Sequence, residues 1–156
     1  MKRQVPLTVA VFAVGACLIL ILFAPGAFGN ESGVDGTVLR ENMLPARQGD
    51  PQAQMFVGYL YETGQGVPKN YVTAAQWYRK AAEQGNTIAQ SQLGNMYRLG
   101  KGVPQNYILA YMWFDFAVKG GSSNARALKS LVAAQMSPAE IAEAKRLAGG
   151  WTPQKR

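Results

Sequence analysis

Residues 50–85 are written again as residues 86–121. The two segments align without a gap and are identical at 14 of 36 positions. The identities include Gly64-x-Gly66-Val67-Pro68-x-Asn70-Tyr71, which returns as Gly100-x-Gly102-Val103-Pro104-x-Asn106-Tyr107. A fixed period of this size marks a unit that cannot bury its apolar face alone and must stack on a copy of itself.

Each unit reads as two helices joined by a tight loop. In the first helix, Asp50 is placed as N-cap with Pro51 at the first helical position, where its missing N–H is not needed. Asn86 is the matching cap in the second unit. Ala53, Val57, Leu60 and Tyr61 fall on one face, as do Ala89, Leu93, Met96 and Tyr97. Gly58 and Gly94 each cost a helix roughly 1 kcal/mol against alanine, and the repeated cost predicts close backbone approach between helices. Gly64 and Gly100 are placed as helix C-caps with positive φ, and Pro68 stops the helix. Asn70 then caps the second helix. Ala74, Trp77 and Ala81, with Ala110, Trp113 and Ala117, form a small–large–small stripe expected in the core, with the tryptophan filling the gap between layers. The glycine loop has no preceding strand and no lysine–serine ending, so it is not a phosphate loop.

The pattern runs on past residue 121 in altered form. Gly121, Ser122, Ala125 and Leu128 keep the first-helix register, but the glycine loop is missing. A helix begins instead at Ser137, with Pro138 first and Glu140 placed for a capping box. Ile141, Ala144 and Leu147 give it an apolar face, and Lys145 and Arg146 a wet one, as a terminal repeat needs. Upstream, residues 39–49 match the end of a unit, with Pro45 shortening any helix there.

These residues resemble the Sel1-like repeat family, a branch of the tetratricopeptide-like helical solenoids. The family pattern has Ala…Leu-Gly-x-x-Tyr, then Gly-x-Gly-Val, Tyr, Ala-x-x-Trp-Tyr-x-x-Ala-Ala and Gly over about 36 residues, where a plain tetratricopeptide unit has 34 and no such loop. It is met by Ala53, Gly58, Tyr61, Gly64, Gly66, Val67, Tyr71, Ala74, Trp77, Tyr78, Ala81, Ala82 and Gly85. The second copy has Leu93-Gly94, with Phe114 and Val118 where Tyr and Ala are usual. Asn70 and Asn106 stand where the family often has aspartate. The resemblance implies an all-α fold: a right-handed α-solenoid of antiparallel helix pairs that serves as a protein-interaction scaffold. The expected organisation is a signal peptide or membrane anchor over 1–29, preceding a linker and half-repeat helix over 30–48. Repeat 1 follows over 49–85, repeat 2 over 86–121, a modified capping repeat over 122–150 and a tail over 151–156.

The first thirty residues carry Lys2 and Arg3, then no charge until Glu31. Three readings stand. A secretory signal would be cleaved after Gly29, with Ala27 and Gly29 as the small residues. An uncleaved anchor is an apolar helix spanning with residues 5–24, the only membrane contact expected. A lipoprotein signal would end at Cys17, against which stand the apolar residues 18–23 that follow. All three export the remainder: to the periplasm or secreted space if cleaved, or anchored in the inner membrane with the repeats outside the cytoplasm.

The chain has no histidine and one cysteine, Cys17, so most nucleophile–base and metal-ligand sets are absent; no catalytic, cofactor or metal residues are assigned. The net charge of +7 is scattered rather than gathered in a run, and no nucleic acid is expected as partner. Some members resembling this chain are linked to β-lactam binding or hydrolysis, but those are cysteine-rich, and this chain also lacks Ser-x-x-Lys. A hydrolase of cell-wall or β-lactam-like substrates is therefore the alternative; its carboxylates would be Glu62, Glu83 and Asp115. The leading expectation is a non-catalytic scaffold, needing no cofactor, that binds a protein or peptide on the concave face of its repeats. Residues that build the stack recur, so recognition should fall to those that vary. Met55, Tyr59 and Glu62 share one face of the first helix, and Ser91, Asn95 and Arg98 are their counterparts.

Overall fold

A computed structural model describes residues 36–151, and these form seven helices with no strand among them. The expected leader, the lipobox at Cys17 and residues 152–156 lie outside the described residues. The helices are α1 (Thr37–Arg47), α2 (Pro51–Thr63), α3 (Tyr71–Glu83), α4 (Thr87–Leu99), α5 (Tyr107–Lys119), α6 (Ser123–Ala133) and α7 (Pro138–Gly150). α2 pairs with α3 and α4 with α5, and α3 and α5 each also pack on the first helix of the following unit. This is the solenoid that the period implies.

The caps sit where the sequence places them. Asp50 accepts from the Ala53 N–H at 2.8 Å, Asn70 from Thr73 at 3.0 Å and Asn86 from Ala89 at 2.9 Å. Gly64 and Gly100 close α2 and α4 with φ of 78° and 68°. At α7 the capping box forms: Glu140 Oε2 accepts from the Ser137 N–H at 2.7 Å while Ser137 Oγ accepts from the Glu140 N–H. In the second loop, a Cβ on Gly102 would lie 2.1 Å from the Tyr71 carbonyl oxygen, so only glycine lets this loop rest on the start of α3.

Three expectations need correction. Gly58 and Gly94 do not serve backbone-to-backbone approach. They receive rings: a Cβ at Gly58 would stand 2.8 Å from the Tyr78 ring, and one at Gly94 would stand 2.9 Å from that of Phe114. Accordingly, the aromatics at the centre of the repeats are Tyr78 and Phe114, both fully buried, and Trp77 is only half-buried. Pro45 does not stop α1, which runs two residues further; in the last turn the proline forfeits a single backbone donor. The sequence left the partner of α7 open; it packs on α5 rather than on α6, its neighbour in the chain. Trp151, just after α7, meets Phe116 at 4.4 Å between ring centroids and Trp113 at 5.6 Å, and Trp113 is buried beneath them.

Candidate functional site

Two repeated polar residues belong to the frame. Gln54 Nε2 donates to the Ala46 carbonyl at 3.0 Å, and one period later Gln90 Nε2 donates to that of Ala82 at 3.2 Å. Each buried amide is a second donor to a carbonyl in the last turn of the preceding second helix, which also accepts from the Gly49 N–H at 3.2 Å or the Gly85 N–H at 3.0 Å. Their recurrence in an otherwise apolar stripe was the signal for this role, although the sequence pattern alone assigned them none.

The six varying positions fare differently. Tyr59 is 36% exposed; its ring stacks with Phe56 at 6.2 Å, and its hydroxyl accepts from Gln65 Nε2 at 3.2 Å. Met55 packs against the main core, and Ser91 is half-buried. Glu62 accepts the Tyr78 hydroxyl at 2.6 Å, which makes it part of the frame. Asn95 Oδ1 accepts from Arg98 Nε at 3.0 Å and from an Arg98 terminal nitrogen at 2.7 Å, so those two act together. No hydrogen bond among the described residues joins them to Tyr59 or Glu62.

Arg98 borders a groove of about 300 Å³ whose other walls include Leu99, Tyr107, Leu131 and Val132. Leu131 is 54% exposed and stands one period after Asn95 and two after Tyr59. Carrying the 36-residue register past 121 would have found it. Tyr71 is a second cationic station, with Lys69 Nζ 5.5 Å and Lys101 Nζ 5.4 Å from its ring centroid.

A separate groove of about 280 Å³ lies where α1 and α2 meet the end of α3. Ala46, Arg47, Gln54, Trp77, Lys80 and Glu83 line it, and the Lys80 ammonium lies 4.3 Å from the Trp77 ring centroid. A tryptophan read as core in the sequence is thus also a groove wall.

The carboxylates do not assemble into a catalytic pair. Glu62 is bound to Tyr78, whose hydroxyl is pushed far above its ordinary range by burial and then by Glu62 itself. Glu83 lines the Trp77 groove. Asp115 is partly buried, which opposes ionisation, yet Lys119 at 2.8 Å and Lys129 at 2.5 Å outweigh this and hold its carboxyl below the ordinary range. A general acid at neutral pH needs the opposite shift. Among the described residues no group of three or more His, Cys, Asp or Glu could hold a metal ion, and no helix is long and apolar enough to cross a membrane.

The Sel1 repeat family matches at residues 51–86 and 87–122. A chitin synthase regulator of Saccharomyces cerevisiae, SKT5, is 34% identical over 73 residues, which are 47% of this chain and 10% of that protein. Among solved structures, a protective antigen of uropathogenic Escherichia coli displaying an SLR fold superposes with a TM-score of 0.70 and 32% identity, over 72% of this chain and 24% of that one. A Sel1 repeat protein from Oxalobacter formigenes has a TM-score of 0.57 and 39% identity, over 60% and 39%. Helicobacter pylori cysteine rich protein B has a TM-score of 0.57 and 28% identity, over 64% and 75%. The chain therefore spans about a tenth of the curated relative and about a quarter of the antigen.

Proposed function

This chain is a Sel1-repeat protein, and from that premise we propose that it is a non-catalytic scaffold of the cell envelope or secreted space that captures a protein or peptide. Sel1 repeats generally serve protein interaction. The capture surface is the concave face of the repeats, built from the varying first-helix positions. One observation supports this reading: exposed side chains at the varying first-helix positions are ones the frame does not use. Tyr59 stands exposed, and Arg98, held in place by Asn95, borders a groove with the exposed Leu99 and Leu131. Tyrosine and arginine are the anchor types that interfaces favour. Glu62 and Met55 support the face from below rather than contacting the partner, since both are engaged internally. Delivery outside the cytoplasm rests on the apolar leader of the sequence.

The test is affinity capture from envelope fractions with the wild type and the pair Tyr59→Ala, Arg98→Ala. Both side chains reach solvent, so the thermal midpoint should stay within about 2–4 °C, the shift expected for roughly 1 kcal/mol, while capture weakens. Unchanged capture would move the site to the cationic edge at Lys69, Tyr71 and Lys101.

A further inference from the structure

The two repeats treat the outer side of their tryptophan differently. In the second repeat, Trp113 and Phe116 form an apolar wall, and this wall is covered: Trp151 lies 5.6 Å from one ring and 4.4 Å from the other. In the first repeat the same two stations hold Trp77 and Lys80. Trp77 is half-buried and faces a groove of about 280 Å³ that no other segment of the described chain fills. Internal symmetry thus displays, within one molecule, what kind of group covers this surface: an aromatic ring set edge-on to the tryptophan.

The substitutions between the repeats specify the rest. Phe116 becomes Lys80, whose ammonium lies over the Trp77 ring, and Arg47 adds a second cation to the lining of the groove. Neither cation is in an ion pair among the described residues; Glu83 is the one acid in the lining. An occupant of the Trp151 type therefore meets two unpaired cations where Trp151 itself meets phenylalanine.

We propose that the Trp77 groove is a receptor for an aromatic side chain carried on an acidic segment of a partner protein. The aromatic packs edge-on against Trp77, as Trp151 does against Trp113. A neighbouring carboxylate on the partner pairs with the exposed Lys80 and Arg47 at the rim of the groove. The proposal rests on the scaffold reading but on a different surface, so Tyr59 and Arg98 can fail their test without affecting it, and the reverse holds.

The full-length chain, labelled with ¹⁵N, shows each tryptophan indole N–H as a separate resonance, and Trp77→Phe identifies that of Trp77. The probe is a blocked peptide Glu-Trp-Glu. It should shift the Trp77 resonance saturably and leave that of Trp113 in place. Lys-Trp-Lys should bind about fivefold more weakly, the size of one or two exposed charge pairs, and Lys80→Glu should reverse that preference. Lys80 is exposed, so this variant keeps the fold. No shift of Trp77 at millimolar peptide overturns the proposal, as does an equal response to Glu-Ala-Glu. A Trp77 shift that follows protein concentration without peptide would assign the groove to a second copy and overturn it too.

Discussion

The Tyr78 hydroxyl donates to the Glu62 carboxylate across 2.6 Å, tying the second helix of one repeat to its first. One period later the pair is Phe114 and Arg98: the hydroxyl is gone, and so is the acid that received it. The two positions change together because a buried hydroxyl needs a partner and a phenyl ring does not. Glu62→Ala should cost about 1–3 kcal/mol in urea unfolding, since it removes the acceptor of the buried hydroxyl proton. Tyr78→Phe should cost about 1 kcal/mol, because the half-exposed Glu62 can turn to water. Added to Tyr78→Phe, Glu62→Ala should cost much less than alone. Fully additive costs would show that the two residues are not coupled.

Gly58→Ala should destabilise even though alanine is the better helix former. The new Cβ would stand 2.8 Å from the Tyr78 ring, and overpacking of this kind costs about 1–3 kcal/mol. Gly149 lies near the end of α7 with nothing within 4 Å of such a Cβ. Gly149→Ala should therefore leave the thermal midpoint unchanged or raise it slightly. Equal responses at the two sites would rule out ring contact as the reason for Gly58.

Trp113→Ala should cost about 3–5 kcal/mol, the range for truncating a buried large aromatic. Trp77→Ala should cost less, about 1–2 kcal/mol, because that side chain is only partly buried and borders a groove. Acrylamide quenching gives an independent check. Emission lost in Trp77→Phe should be the more quenchable part, and emission lost in Trp113→Phe the protected part.

Acid should weaken the α5–α6 contact through Asp115. Its carboxyl titrates below the ordinary range when folded, so its contribution to stability is present above that range and disappears as pH falls through the lowered value. Asp115→Asn should therefore be less stable than the wild type at neutral pH, by about 1 kcal/mol, and the gap should close toward pH 2. Unfolding midpoints followed against pH measure this, and a gap independent of pH would remove Lys119 and Lys129 as its cause.

The helices, their caps and the loop were legible in the sequence because they depend on interactions within a few residues: an Asn70 or Ser137 side chain reaching three positions ahead, or an apolar face recurring every 3.6 residues. The stacking period was legible because residues 50–85 recur as 86–121. The tertiary structure decided which of two adjacent aromatics is interior. Trp77 and Tyr78 lie about 100° apart around α3, and the space at Gly58 on α2, with Glu62 as acceptor, receives Tyr78. It also decided that α7 lies on α5, which buries Trp113 and leaves its counterpart Trp77 lining a groove. Helical periodicity describes the face an element offers; what stands opposite that face depends on the path of the rest of the chain, and the two repeats, alike in sequence, have different neighbours there.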